Sequence, residues 1–194
     1  RRFDVYCENH HVATVEWPLM GQHNLQNAIG AIAATHVIGA KPEDACAALA
    51  EFRAPKRRLE RVNPNCSIAL FDDFAHHPTA VRETLKSLRA FDPTGKVVAV
   101  LEPRSNTMKQ GVHRPELAQA LSLADVAIIC RRDDLDWDPE ELTHLKDGDK
   151  IMVCNSNAQI VDMVCAVVES GDRVVMMSNG NFGGLRDLLN ARLN

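Results

Sequence analysis

Five short stretches of the chain carry side chains whose types and spacing could do chemistry. The first is Asp72-Asp73-Phe74-Ala75-His76-His77-Pro78-Thr79. Two adjacent carboxylates can accept hydrogen bonds from ribose hydroxyls or orient a metal-bound water; equally, they make a solvated acidic turn. His76 and His77 are neighbours that rarely aim at one ion, so no metal site is expected of them. The second is Gly21-Gln22-His23-Asn24-Leu25-Gln26-Asn27-Ala28. On a helix, His23, Asn24 and Asn27 share a face. An asparagine amide offers a donor and an acceptor, as an adenine edge requires, although Asn24 could simply cap the helix. The third is Lys56-Arg57-Arg58-Leu59-Glu60, where an arginine at a joint can close over a phosphate, or remain a solvated basic linker. The fourth, Glu102-Pro103-Arg104-Ser105-Asn106-Thr107-Met108-Lys109, suits a substrate carboxylate, or is a polar loop. The fifth, Ser178-Asn179-Gly180-Asn181-Phe182-Gly183-Gly184, could offer backbone N–H groups to an anion, or be a tight turn. It lacks G-x-G-x-x-G spacing, so no dinucleotide site follows.

The elements that must position these residues can be read from periodicity. Residues 2–7 and 11–16 predict two strands with a turn at Glu8-Asn9-His10. A helix over 22–38 has Leu25, Ala28, Ile29, Ile32 and Ala33 on its apolar face and stops at Gly39. Another opens at Pro42, with Ala45, Ala48, Leu49 and Phe52 facing inward. The basic, proline-containing run 53–58 predicts a domain joint, dividing the chain into 1–55 and 56–194. Beyond it, apolar runs at 67–71, 96–101, 125–130, 150–154 and 173–178 alternate with helical patterns near 78–91, 115–123, 157–169 and 182–193. Ser156 and Gln159 predict a capping box on the third of those helices. Continuously apolar strands separated by helices imply an α/β domain, a doubly wound Rossmann-like and mostly parallel sheet covered on both faces. Ligands of such sheets bind at the carboxyl ends of the strands. Four polar segments fall there: 72–78, 102–109, 131–138 and 178–184.

Composition narrows the partners. A net charge of −4 argues against a nucleic-acid-binding surface. Six cysteines occur without a C-x-x-C pair, which suits reduced, buried thiols in a cytoplasmic protein. No run of about 18 apolar residues and no signal peptide is visible, so no membrane is expected. The chain opens on Arg1-Arg2-Phe3 rather than Met, and the expectation is a piece of something longer.

Taken in order, GQHNLQNAIGAIAA, KRRLE and DDFAHHPTAV resemble the end of the central domain and the start of the C-terminal domain of Mur ligases. LEPRSNTMKQG and MSNGNFGGL resemble the branch that joins a murein tripeptide to UDP-N-acetylmuramate. DDFAHHPT alone also fits the branch that adds L-alanine to that sugar acid. The resemblance implies an ATP-dependent ligase that activates the lactyl carboxylate as an acyl phosphate, with Mg²⁺ offsetting phosphate charge. It implies His23, Asn24 and Asn27 at the nucleotide, Arg58 at its phosphates, and Asp73 with His76 in the motif that holds it. Arg58, Asp73 and His76 are then the catalytic set. Arg104, Ser105, Asn106 and Lys109, with Asn179 and Asn181, would meet the tripeptide. Arg131 and Arg132 lie where a relative carries a D-N-P-R substrate loop, but that motif is missing and the role is not carried over. No G-x-x-x-x-G-K-S/T occurs in these residues. The phosphate loop, the metal ligands and the sugar-nucleotide domain are therefore expected upstream, and the piece by itself is expected to be inactive. Two rivals of other classes are a receiver-type module and a non-catalytic nucleotide-binding module. The first would need an Asp and a Lys where Cys130 and Ser178 stand.

Overall fold

A computed structural model describes residues 2–17 and 19–194. The chain separates into two compact units, Arg1–Lys56 and Arg57–Asn194.

In the first unit β1 (Arg2–Cys7) and β2 (His10–Glu16) form an antiparallel hairpin. Glu8 and Asn9 both take positive φ, 47° and 66°, as a two-residue turn that follows the strand twist requires. His10 is therefore the first residue of β2, paired with Cys7, and not part of the turn. Helix α1 (Gln22–Val37) ends at Gly39, where φ is 97°. The Gly39 and Ala40 N–H groups donate back to His36 and Thr35. Helix α2 (Pro42–Ala50) starts on proline, with Glu43 and Asp44 in its first turn. A small core joins Val15, Trp17, Ala28, Ile32 and Cys46. It is narrower than periodicity predicts, because a two-stranded hairpin covers only one stripe of each helix. Ile29, Ala33 and Ala48 face outward, and Cys46 takes the buried place expected of Ala48. Phe52 is 40% exposed yet stacks on Trp17.

The second unit runs β3 (Glu60–Arg61), β4 (Ala69–Asp73), α3 (Pro78–Phe91), β5 (Val97–Leu101), α4 (Asn106–Lys109), α5 (Arg114–Leu121), β6 (Val126–Cys130), β7 (Ile151–Cys154), α6 (Asn157–Val167), β8 (Arg173–Met177) and α7 (Leu185–Leu193). Two short 3-10 turns, Pro139–His144 and Phe182–Gly184, complete it. The six strands lie in the order β3-β4-β8-β5-β6-β7. Five are parallel, and only β3, on the edge, is antiparallel. The doubly wound, mostly parallel α/β sheet predicted above is what forms.

The winding places the site. Helix α3 packs with α5, and α6 with α7, as two separate layers. Central strands are buried on both faces: β5 and β8 have no exposed residue. One core gathers Leu70, Val98, Val100, Val174 and Met176 with Ile160 and Val164 of α6 and Leu185 and Leu189 of α7. The chain leaves β4 and β5 toward the α3/α5 layer, but leaves β8, which lies between them, toward α7. Each such reversal opens a crevice at the carboxyl ends of the strands. The end of β8 thus has one on either side.

At the amino end of α6, Ser156 Oγ accepts from Gln159 N–H at 3.2 Å, as expected. The Gln159 side chain bonds Asn155 N–H at 2.7 Å instead of Ser156, so the predicted box is only half made.

Candidate active site

Register sets out the site. Asp73, Met177 and Leu101 lie side by side, so the next residues, Phe74, Ser178 and Glu102, stand together at the rim.

Asp72 and Asp73 both belong to β4, and consecutive strand residues point to opposite faces. They therefore do not act as one paired carboxylate, which corrects the simplest sequence reading. Asp72 turns toward Arg57 Nε at 3.4 Å and Arg186 Nη1 at 3.7 Å. Burial raises its pKa, opposed by the Arg57 charge and hydrogen bond and by Arg186, and assisted by Glu60. Asp73 turns toward α3. Its Oδ1 accepts from Ala75 N–H at 2.9 Å and Thr84 Oγ1 at 3.1 Å, and its Oδ2 from Leu59 N–H at 2.7 Å. Burial pushes Asp73 up, and those three bonds and the Arg58 charge only partly offset it. Most of its acceptor capacity is spent on protein, leaving one lone-pair direction on Oδ2.

The loop that Asp73 holds is strained. Arg57 and Leu59, neither a glycine, take φ of 60° and 51° on either side of Arg58. Three bonds fix it: Leu59 N–H to Asp73, Arg57 N–H to Glu60 Oε2 at 3.0 Å, and Phe74 N–H to the Arg57 carbonyl at 2.9 Å. Arg57 then turns inward, donating to the Ser178 carbonyl and to Asp72. Arg58 is exposed, with its guanidinium 5.9 Å from the Phe74 ring centre and no carboxylate partner among the described residues. The two arginines are thus divided: Arg57 is tied to the rim by hydrogen bonds, and Arg58 forms no ion pair among the described residues. His76 Nδ1 donates to the Phe74 carbonyl, 2.7 Å away, with its ring edge-on to Phe74. Arg58, Asp73 and His76 are accordingly grouped around Phe74.

Across the crevice, Ser105 Oγ donates to the His76 carbonyl at 3.2 Å, tying the β5 loop to the β4 loop. Glu102, only 3% exposed, accepts from Ser178 Oγ and from Arg132 Nη1 at 2.5 Å, with Arg104 Nη1 at 3.9 Å. Arg132 also bonds Asp134 at 2.9 Å, and Asp134 meets Lys109 at 2.6 Å. Those hydrogen bonds, from Arg132 first and Lys109 second, hold Asp134 well below the usual carboxylate range. Trp137 Nε1 bonds the Met108 carbonyl at 2.8 Å and bolts the two loops together. Asn106 and Asn181 are exposed, and Asn179 Oδ1 is shielded without a partner. Lys109, expected at substrate, is engaged with Asp134.

Sequence reasoning gave no individual role to Glu60, Glu102, Asp134 and Gly180, although they lie in the segments it marked, and it passed over Thr84. Only the i, i+2 spacing of Arg132 and Asp134 offered a signal. In the first unit, Asn24 Nδ2 donates to the Met20 carbonyl at 2.6 Å, and Asn27 Nδ2 reaches Asn24 Oδ1 at 3.4 Å. His23 Nδ1 is shielded and unpaired. Asn24 and Asn27 are thus linked across one turn of α1. No group of three or more His, Cys, Asp or Glu able to hold a metal occurs among the described residues. Among them, too, no helix is long and apolar enough to cross a membrane.

The chain is similar to several known proteins. The chain is 43% identical over 186 residues to the UDP-N-acetylmuramate–L-alanyl-γ-D-glutamyl-meso-2,6-diaminoheptandioate ligase of Haemophilus influenzae, covering 94% of this chain and 40% of that protein. With the Escherichia coli protein of the same name it shares 37% over 195 residues, covering 96% and 41%. The crystal structure of a murein peptide ligase from Psychrobacter arcticus matches at a TM-score of 0.74 and 38% identity, over 99% of this chain and 42% of that one. The chain thus spans about two fifths of the length of these relatives. The family model described as Mur ligase, glutamate ligase domain, matches residues 57–180, which hold the strand-end cluster, and the chain belongs to the Mur ligase family.

Proposed function

We propose that these residues are the C-terminal part of an ATP-dependent ligase joining L-Ala-γ-D-Glu-meso-diaminopimelate to UDP-N-acetylmuramate. On this reading, 1–55 is the tail of the central ATP-binding domain and 56–194 is the domain that receives the peptide. The observation that carries it is the rim of the sheet. It has a free arginine on a strained loop at one side of the β8 end, and an arginine-bearing loop at the other. The names of the relatives supply the substrates.

ATP supplies a phosphoryl group that turns the lactyl carboxylate into an acyl phosphate, which the peptide amine attacks to give an amide, ADP and phosphate. The donor set suits such an anion: Arg58 is a cation with no carboxylate of its own, pre-positioned on a fixed backbone. Asp73 keeps that backbone in place and has one acceptor direction left for a ribose hydroxyl, while His76 orders the Phe74 turn. In the first unit, the linked amides of Asn24 and Asn27, with His23, suit an adenine edge. Arg104, Ser105 and Asn106, with Asn179 and Asn181, serve the peptide, and Lys109 acts there by fixing Asp134. On this reading the Mg²⁺ ligands, for the most part, and the phosphate loop are supplied by the upstream domains of the complete protein. The residues alone do not ligate, and the whole protein works in the cytoplasm.

The test is the complete reading frame, purified and given Mg-ATP, UDP-N-acetylmuramate and either the tripeptide or free L-alanine. Amide product should form with the tripeptide and not with L-alanine. The reverse preference would assign the chain to the L-alanine-adding branch, and ATP binding with no ligation would favour a nucleotide-binding module. Arg58→Ala should lower kcat at least about 100-fold, the scale of losing one pre-positioned cation at developing charge.

A further inference from the structure

Beneath Arg104 lies a glycine whose backbone does not need to be one. Gly180 is not among the residues at positive φ, so its φ does not demand glycine. What it lacks is room: a Cβ there would stand 2.4 Å from Arg104 Nη1 and 2.5 Å from Cδ and Nε. The arginine lies across the bare Gly180 backbone, in the crevice between β8 and β5. Its other restraint is Glu102. That carboxylate begins an alternating series Arg104–Glu102–Arg132–Asp134–Lys109, with contacts of 3.9, 2.5, 2.9 and 2.6 Å. Three cations face two carboxylates, leaving one positive charge uncompensated. It is not on Arg132, which is held between two acids, nor on Lys109, which has Asp134 at 2.6 Å. It falls on Arg104, whose single ion pair is the longest of the series and whose side chain is 44% exposed. Among the described residues the guanidinium has no hydrogen bond, so its planar fork is open for a carboxylate.

We propose that Gly180 is the specificity-setting position of this site: it is the shelf that lays Arg104 flat as the receptor for one carboxylate of the peptide, with Glu102 as tether. Arg132 and Lys109 position the loops and do not touch the peptide. This rests on the tripeptide reading above.

The shelf makes a clean experiment possible. In Gly180→Ala the three atoms nearest the new methyl all belong to the flexible Arg104 side chain, so the protein should fold while the guanidinium is lifted away. The complete protein, wild type and Gly180→Ala, is assayed with the tripeptide and with three monoamides, each having one carboxylate converted to a carboxamide. For wild type, one monoamide should show a KM about tenfold or more above the parent peptide, as for a lost charge-assisted hydrogen bond. Gly180→Ala should raise KM by a similar factor for the parent and the other two monoamides, add nothing for that one, and leave kcat within about twofold. Arg104→Ala should reproduce the pattern. An unchanged KM for the parent peptide in Gly180→Ala, or an equal rise for all four peptides, overturns the proposal. A wild type that ligates no tripeptide overturns the functional reading first, and the proposal with it.

Discussion

At the scale of the residue, Asp73 shows how one carboxylate can be spent. Its two oxygens are unequal: Oδ1 receives Ala75 N–H and Thr84 Oγ1, while Oδ2 receives Leu59 N–H alone. Asn at this position has one acceptor oxygen and one amide donor. The oxygen will take the side with two donors, which turns the NH₂ group toward the Leu59 N–H. Two donors then face each other, and the loop bearing Arg58 loses its bond, at a cost of about 1–3 kcal/mol for an unsatisfied buried group. Asp73→Asn should therefore speed amide hydrogen exchange at Leu59 by about tenfold or more while Ala75 keeps its protection. Equal protection at both amides would show that Asp73 does not latch the loop. The sequence made this motif legible as a site but not as a latch. Residue types report that carboxylates are present. The pleat of β4, which sends Asp72 and Asp73 to opposite faces, decides whom each one meets.

At the scale of the element, the two ends of the sheet do different work. The carboxyl ends bear the candidate site, and the amino ends carry stability. Arg173 opens β8 and is 3% exposed. Its guanidinium donates to the carbonyls of Leu88, Asp92, Thr94 and Gly95, gathering the last turn of α3 and the turn leading into β5. A cation on the last carbonyls of a helix also suits the dipole. Arg173→Met leaves those acceptors unpaired in a nearly buried place and should cost about 3–5 kcal/mol. The unit would melt on the order of 10 °C lower. Well below the melt, KM values for nucleotide and peptide should not move, since no strand-end loop is touched. A Tm within a degree or two of wild type would mean that water readily replaces the guanidinium. The elements themselves were largely readable, because continuous apolar runs and 3.6-residue periodicity are local signals. What escaped were features decided by distant partners: two-residue β3, which exists only by pairing with β4, and the short helix Asn106–Lys109 within a stretch that reads as a polar loop. Arg173 escaped for the same reason, since a charge inside an apolar run declares its burial only through carbonyls contributed from residues 88–95.

At the scale of the whole molecule, the two units differ in how much they can bury. The second has a six-stranded sheet covered on both faces, with β5 and β8 free of exposed residues. The first has a two-stranded hairpin and two helices around five buried side chains, with Tyr6, Ile29, Val37 and Ile38 more than half exposed. Hydrophobic stabilisation scales with apolar area removed from water, at about 25 cal/mol per Å². Units near 60 residues are marginal because their surface is large for their volume. The two units divide between Lys56 and Arg57, within the basic, proline-containing run 53–58. The expected outcome is unfolding in two steps. Hydrogen exchange under increasing denaturant should release the amides of α1 and α2 first, and those of β5 and β8 last, with opening energies differing by several kcal/mol. A chain of residues 57–194 alone should retain the later transition with its midpoint little changed, since the sheet and both of its helical layers lie within it. One transition releasing α1 and β5 amides together, or collapse of 57–194 when expressed alone, would mean that the two units fold as one and that the marginal core of the first is completed by the second.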